Sequence, residues 1–188
     1  RSICLVKITC SNGQYGWGEG YGPASVLESG IKLLRPLLIG ENPIENEVIW
    51  NLMYRKTLDY ARKGVLVASI SAVDIAVMDL KGKILGLSVA DLIGGVFRKK
   101  VKPYATGMYF PDLENTSKNF QKEAEKYINM GFNAIKMKVG LGIKEDFQNI
   151  KLMREIIGSD IMLMIDSNHA YNYNEAVSYT HLTLPTKA

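Results

Sequence analysis

The sequence predicts an α+β domain over about the first 95 residues, followed by the opening of an α/β domain, and three observations lead there. A β-hairpin pattern stands at the start, and it gives way to helical periodicity that ends at Gly94-Gly95. Beyond that point three strand-like segments begin about 30 residues apart, each followed by a helix, which is the spacing of consecutive βαβ units with parallel strands. The spacing fits either a doubly wound sheet or a (β/α) barrel.

The elements follow in order. Ile3–Cys10 alternates, with Cys4, Val6, Ile8 and Cys10 on one face, Asn12-Gly13 supplies the positive φ values of a tight turn, and Gln14–Gly18 returns. Ala24–Leu38 carries Leu27, Ile31, Leu34 and Leu38 at helical spacing and stops around Gly40 and Pro43. Glu45–Leu58 and Val65–Leu85 read as further helices, the second apolar on most faces and therefore central to a helical cluster. A short helix, Val89–Ile93, follows. The second half reads as strand Val101–Thr106, helix Asn115–Met130, strand Ala134–Val139, helix Lys144–Ile157 and strand Ile161–Asp166.

Composition excludes several classes of function. The 188 residues are 47% hydrophobic, enough to bury a core, and 22% charged with a net charge of +4. No apolar stretch approaches the roughly 18 residues of a membrane helix, and no export segment opens the chain. Basic residues are interleaved with acidic ones, which argues against a nucleic-acid partner. Cys4 and Cys10 lie on the order of 20 Å apart along one strand, too far to bridge, and two free thiols favour a reducing, cytoplasmic setting. The chain starts at Arg1, without methionine and close to a strand, so the expectation is that residues are missing at one end or both.

Strand periodicity sorts the chemistry. Ile135, Met137 and Val139 share one face, suited to the flanking helices, while Ala134, Lys136 and Lys138 share the other. Two ammonium groups turned to the interior of a sheet or barrel are expensive unless they serve something. On the next strand Met162, Met164, Asp166 and Asn168 share a face, and Lys138 and Asp166 each fall at a strand's carboxyl end, where α/β proteins place their sites. An Asp that holds a divalent cation and a lysine that removes a substrate proton would use this pattern. A second ammonium nearby lowers a lysine's pKa from about 10.4 towards neutrality. Read alone, Lys-x-Lys is more often a solvated pair on an edge strand; its place between two other strands and the Asp one βα unit later bring the two readings level.

Taken together, several segments in order are identified as those of a known family. They are Gly16-Trp17-Gly18-Glu19, Pro36-Leu37-Leu38-Ile39-Gly40, Ser71-Ala72-Val73-Asp74-Ile75-Ala76 with Asp79-Leu80-Lys81-Gly82-Lys83, Leu92-Ile93-Gly94-Gly95, Lys136-Met137-Lys138 and Asp166-Ser167-Asn168. The set resembles the mandelate racemase/muconate lactonizing enzyme branch of the enolase superfamily, from Arg1 to about Ala176. The resemblance implies an α+β N-terminal capping domain (1–95) and the first part of an incomplete (β/α) TIM-type barrel (96–176), with Mg²⁺ stabilising the enediolate left by proton loss α to a carboxylate. It makes Lys138 the catalytic base, Lys136 its tuning partner and a holder of the substrate carboxylate, Asp166 one of three acidic Mg²⁺ ligands, and Asn168 a substrate-binding residue. The other two ligands and a further acid/base belong to later strands. One acidic ligand cannot fill an octahedral Mg²⁺ site, so the 188 residues alone are expected to be inactive.

Other residues receive plainer readings. Residues 177–188 read as a non-native, adapter-derived tail that interrupts a helix begun at Asn172–Ala176, which removes His181 from the argument. His169, beside Asp166 and Asn168, is placed to contact substrate or metal, but a His in a loop after a strand is more often structural. Gly16, Gly18, Gly20 and Gly22 resemble a phosphate loop only superficially, since the unit is a hairpin rather than βαβ. Glu19 and Tyr21 could shape specificity, and Asp74 and Asp79 read as polar partners inside the first domain.

The functional expectation is a Mg²⁺-dependent enzyme acting on a small-molecule carboxylate, chiefly an acid-sugar dehydratase, with a racemase, epimerase or cycloisomerase as the alternative. The parent is expected to be a cytoplasmic homo-oligomer with no nucleic-acid or membrane partner. A reading of another class is a non-catalytic fragment.

Overall fold

Strands β1 (Cys4–Thr9) and β2 (Tyr15–Gly20) form an antiparallel pair in which Val6 faces Gly18 and Lys7 faces Trp17. They belong to a computed structural model that describes residues 2–109 and 115–183, with side chains described through Ser178. The chain divides into two units, Arg1–Lys99 and Lys100–Ala188.

In the first unit the hairpin turn differs from the sequence expectation. Only Gly13 has a positive φ, 86°, while Cys10 N–H donates to Gln14 O at 2.8 Å and Gly13 N–H to Cys10 O at 3.0 Å. The loop is therefore the three-residue kind with a left-handed Gly, and Asn12 Oδ1 accepts Gln14 N–H at 3.0 Å to hold it. Helix α1 (Ala24–Leu34) also ends earlier than its apolar spacing suggests, because Pro36 tightens the continuation into a 3₁₀ turn at Arg35–Leu37. Helices α2 (Asn46–Thr57), α3 (Val65–Leu85) and α4 (Val89–Leu92) complete the unit, and Ser88 Oγ caps the last by accepting Asp91 N–H at 3.1 Å.

The unit is built around α3, whose Ile70, Ala72, Val73, Ala76 and Val77 are buried with Val6, Leu34, Ile49 and Met53. The alternate glycines of β2 explain how the strand lies on it. A Cβ at Gly18 would stand 2.0 Å from Ala72 O, and one at Gly16 would stand 2.1 Å from Ala76 O. These glycines are there so that strand backbone can lie against helix backbone.

In the second unit β3 (Ala105–Gly107), β4 (Ala134–Lys138) and β5 (Met162–Asp166) form a parallel sheet in the order β3-β4-β5. Helices α5 (Thr116–Asn129) and α6 (Ile143–Ile157) connect them, as the spacing predicts. β3 is shorter than the expected Val101–Thr106: residues 101–104 pair with nothing in the sheet, and Pro103 has no N–H to give a ladder. Ile135, Met137 and Val139 are buried against Phe120 and Ala124 of α5 and Met153 and Ile157 of α6, the apolar face predicted for β4.

Helix α7 (Tyr173–Thr183) departs from the reading that its periodicity fails after Ala176. A capping box starts it: Asn172 N–H donates to Glu175 Oε2 at 2.9 Å and Glu175 N–H to Asn172 Oδ1 at 3.0 Å. Nothing before Pro185 forbids its continuing, and the β-branched residues there lower helix propensity without preventing the helix. Residues 184–188 of the expected tail, and the His181 side chain, lie outside what is described.

Cys4 and Cys10 are both free. No described helix is long and apolar enough to cross a membrane.

Candidate functional site

The register of two parallel strands assembles the site. Lys138 pairs with Asp166 and Lys136 with Met164, so side chains two residues apart on β4 stand beside the end of β5 on one face. Lys138 Nζ donates to Asp166 Oδ2 at 2.7 Å and to Asn168 Oδ1 at 2.5 Å, and Lys136 Nζ reaches the same Asp166 oxygen at 3.1 Å. The other carboxylate oxygen, Oδ1, accepts Asn168 N–H at 3.0 Å. All four residues named from the sequence therefore meet in one hydrogen-bonded cluster. Its lysines are not an exposed edge pair: their side chains are 24% and 13% exposed for Lys136 and Lys138.

Charge explains the electrostatics. The Lys138 ammonium, the Asn168 N–H and the Lys136 ammonium hold the Asp166 carboxyl well below the usual carboxylate range. Lys136 is pushed above the ordinary lysine value, chiefly by its bond to Asp166.

Two loops frame the cluster. The β4–α6 loop is pinned by Asp146, fully buried, which accepts Gly140 N–H at 2.8 Å and Leu141 N–H at 3.2 Å. The Tyr171 hydroxyl, in the β5–α7 loop, also donates to Asp146, so one carboxylate ties both loops. Between them opens a pocket of about 370 Å³ that includes Lys138, Gly140, Ser167, Asn168, His169 and Tyr109. His169 thus lines the pocket. A larger groove of about 650 Å³ in the first unit is mostly apolar and contains none of the predicted site residues.

Sequence reasoning missed the tyrosines. The Tyr104 ring centroid lies 5.5 Å from Lys136 Nζ and the Tyr109 centroid 5.7 Å from Lys138 Nζ, both within reach of a cation–π contact. Both flank β3 in sequence, and only the β3–β4 pairing brings them to the lysines. In the first unit, Glu19 lies on the exposed face of β2 and Tyr21 is almost wholly exposed. Asp79 is the polar partner expected, accepting Trp17 N–H and the Lys83 ammonium. Asp74 is half-buried, and burial first, then Glu47, raises its pKa.

The donors do not make a magnesium site by themselves. Mg²⁺ takes about six oxygens, and among the described residues no group of three His, Cys, Asp or Glu side chains gathers to hold a metal. Asp166 offers one carboxylate, and both its oxygens already accept hydrogen bonds.

Comparison with known proteins shows what this chain is similar to. Residues 1–94 match the family model "Mandelate racemase / muconate lactonizing enzyme, N-terminal domain", and residues 119–185 match "Enolase C-terminal domain-like". An arabinonate dehydratase of Saccharolobus solfataricus is 36% identical over 93% of this chain and 48% of its own length. The crystal structure of a 3,6-anhydro-D-galactonate cycloisomerase from Zobellia galactanivorans superposes with a TM-score of 0.90 at 52% identity, over 96% of this chain and 50% of that one. That of a racemase from Streptomyces coelicolor A3(2) with bound magnesium gives 0.85 at 32% identity, over 94% and 53%. The chain spans about half the length of the curated relatives it matches. With both family models matched and these relatives sharing its fold, this chain belongs to the mandelate racemase/muconate lactonizing enzyme family of the enolase superfamily.

Proposed function

We propose that this chain is part of an enzyme that removes the proton α to the carboxylate of a sugar acid. The observation that carries the reading is the convergence of Lys136, Lys138, Asp166 and Asn168 at the carboxyl ends of β4 and β5. Lys138 is the base and takes the proton when its amine is free. Lys136, kept cationic by Asp166, holds the substrate carboxylate. Asn168, bonded to Lys138 through Oδ1, orients that nitrogen and meets the substrate.

Asp166 is proposed as one carboxylate ligand of Mg²⁺, with the remaining donors supplied from elsewhere in a longer protein. The metal's contribution is stabilisation of charge on the substrate oxygens. Residues 1–95 are read as the capping domain, 96–176 as the first three strands of the barrel and 177–188 as non-native. The longer protein is read as a cytoplasmic homo-oligomer.

The outcome after proton loss is proposed to be cycloisomerisation of an anhydro- or lactone-type sugar acid, which the 52% identity to the Zobellia cycloisomerase supports. Dehydration, preferred from sequence, is the second reading, favoured by the Saccharolobus relative. The test supplies Mg²⁺ and either 3,6-anhydrogalactonate, galactarolactone or arabinonate to a longer protein carrying this chain, and follows product and α-deuterium exchange by NMR. Lys138→Ala is expected to lower the rate by about 100-fold or more; undiminished turnover in that variant sinks the base assignment. The 188 residues alone are expected to give no turnover.

A further inference from the structure

Among the described residues only two that are not glycine have a positive φ: Met108, at 56°, and Asn168, at 50°. One follows β3 and the other follows β5; Asn168 touches Lys138 itself, and Met108 is the residue before one that lies near it. Asn168 Oδ1 accepts from the Lys138 ammonium, and Met108 precedes Tyr109, whose ring lies 5.7 Å from the same nitrogen. Asparagine enters the left-handed region readily; a methionine there has to be held by its surroundings.

The holder is a carboxylate on α5. Glu123 Oε2 accepts Met108 N–H at 2.9 Å, and Glu123 Oε1 accepts the Tyr127 hydroxyl at 2.6 Å. That bond is the first cause pushing the Tyr127 phenol up to about 12, so it stays a donor across the working range. Gly107 makes the room: a Cβ there would stand 2.2 Å from Glu123 Oε1 and 2.6 Å from the Tyr127 hydroxyl. The Met108 side chain is fully buried in the core and anchors the turn from its other side.

We infer that Glu123 is a positioning residue: braced by Tyr127, it holds the left-handed turn at Met108 and so stations the Tyr109 ring against the Lys138 ammonium. The ring flanks a nitrogen already bonded to Asp166 and Asn168, which limits the directions from which a substrate reaches it. That consequence rests on the reading of Lys138 as the base; the arrangement of the residues does not.

The test uses NMR of the 188-residue chain with isotope-labelled lysine. It follows the Lys138 ε-methylene protons, which the ring current of Tyr109 displaces upfield. Tyr109→Leu is expected to abolish the displacement, and Glu123→Ala and Gly107→Ala each to lose most of it. Glu123→Gln, which keeps an acceptor for Met108 N–H, is expected to retain it. Lys138 signals that stay in place in Glu123→Ala while moving in Tyr109→Leu overturn the inference, and so do signals that do not move in Tyr109→Leu. If Glu123→Ala unfolds, as collapse of the Met137 and Met153 methyl dispersion would show, Tyr127→Phe decides: partial loss of the displacement supports the brace and an unmoved signal overturns it. No turnover enters the measurement, so its failure is separate from failure of the base assignment, which the Lys138→Ala enzyme decides.

Discussion

Asp79 Oδ2 accepts the Trp17 backbone N–H at 2.7 Å, fastening the middle of β2 to α3 across 62 positions of sequence. The same oxygen receives the Lys83 ammonium at 2.6 Å, and Lys83 first, then Trp17, holds the carboxyl below its ordinary range. A carboxyl depressed in the folded state adds stability that is fully present above its unfolded pKa and is lost as pH falls through the folded one. The first unit should therefore lose stability on acidification below about pH 4. The Asp79 side chain is 34% exposed, so Asp79→Asn is expected to cost only on the order of 1 kcal/mol at neutral pH. It should also flatten the acid limb. Urea denaturation across pH checks both, and an unaltered acid limb in the variant contradicts the assignment.

Gly18→Ala puts a methyl 2.0 Å from Ala72 O and 2.8 Å from Ala76 N, both helix backbone atoms that cannot swing aside. The expected cost is about 3 kcal/mol or more, at the upper end for overpacking. Gly13→Ala meets no atom within 4 Å and is strained only through its φ of 86°, so it should cost about 1–2 kcal/mol. Thermal unfolding of the two variants ranks them, and a Gly18→Ala chain as stable as Gly13→Ala would disprove the backbone-to-backbone packing.

Removing the Asp146 carboxylate leaves the part-buried Gly140 and Leu141 N–H groups without their acceptor and the Tyr171 hydroxyl without its partner there. Asp146→Ala is expected to cost about 3 kcal/mol. Amide exchange should rise at Gly140, Leu141 and Ala170 more than in the strands. Uniform change across the sheet would mean that Asp146 does not tie the two loops.

What could be read from sequence depended on whether the cause was local. α3 runs Val65–Leu85, as expected, because its apolar residues cover most faces and Gly64 and Gly86 bound it, Gly86 as a left-handed C-cap. The two-residue period of β4 and β5 placed Lys136, Lys138 and Asp166 on one face, since side-chain direction in a strand is fixed by the backbone. Boundaries set by a single residue were less legible: Pro36 cut α1 short, and Pro103 stands in the unpaired stretch before β3. Tyr109 and Glu123 were not legible at all. Their connection runs through a left-handed methionine and a carboxylate brought in by the packing of α5, and neither leaves a periodic signal.

The bare side of β2 has a consequence for mutational tolerance. A strand normally specifies its position by what its side chains fill, but Gly16 and Gly18 specify it by what they leave out. In a saturation scan these two positions should reject nearly every replacement, small or large, polar or apolar. Tyr15, Trp17 and Glu19, turned to the exposed face of the same strand, should accept many. A tolerance profile alternating residue by residue through β2 would then record where helix backbone lies beneath the strand, with no ligand involved.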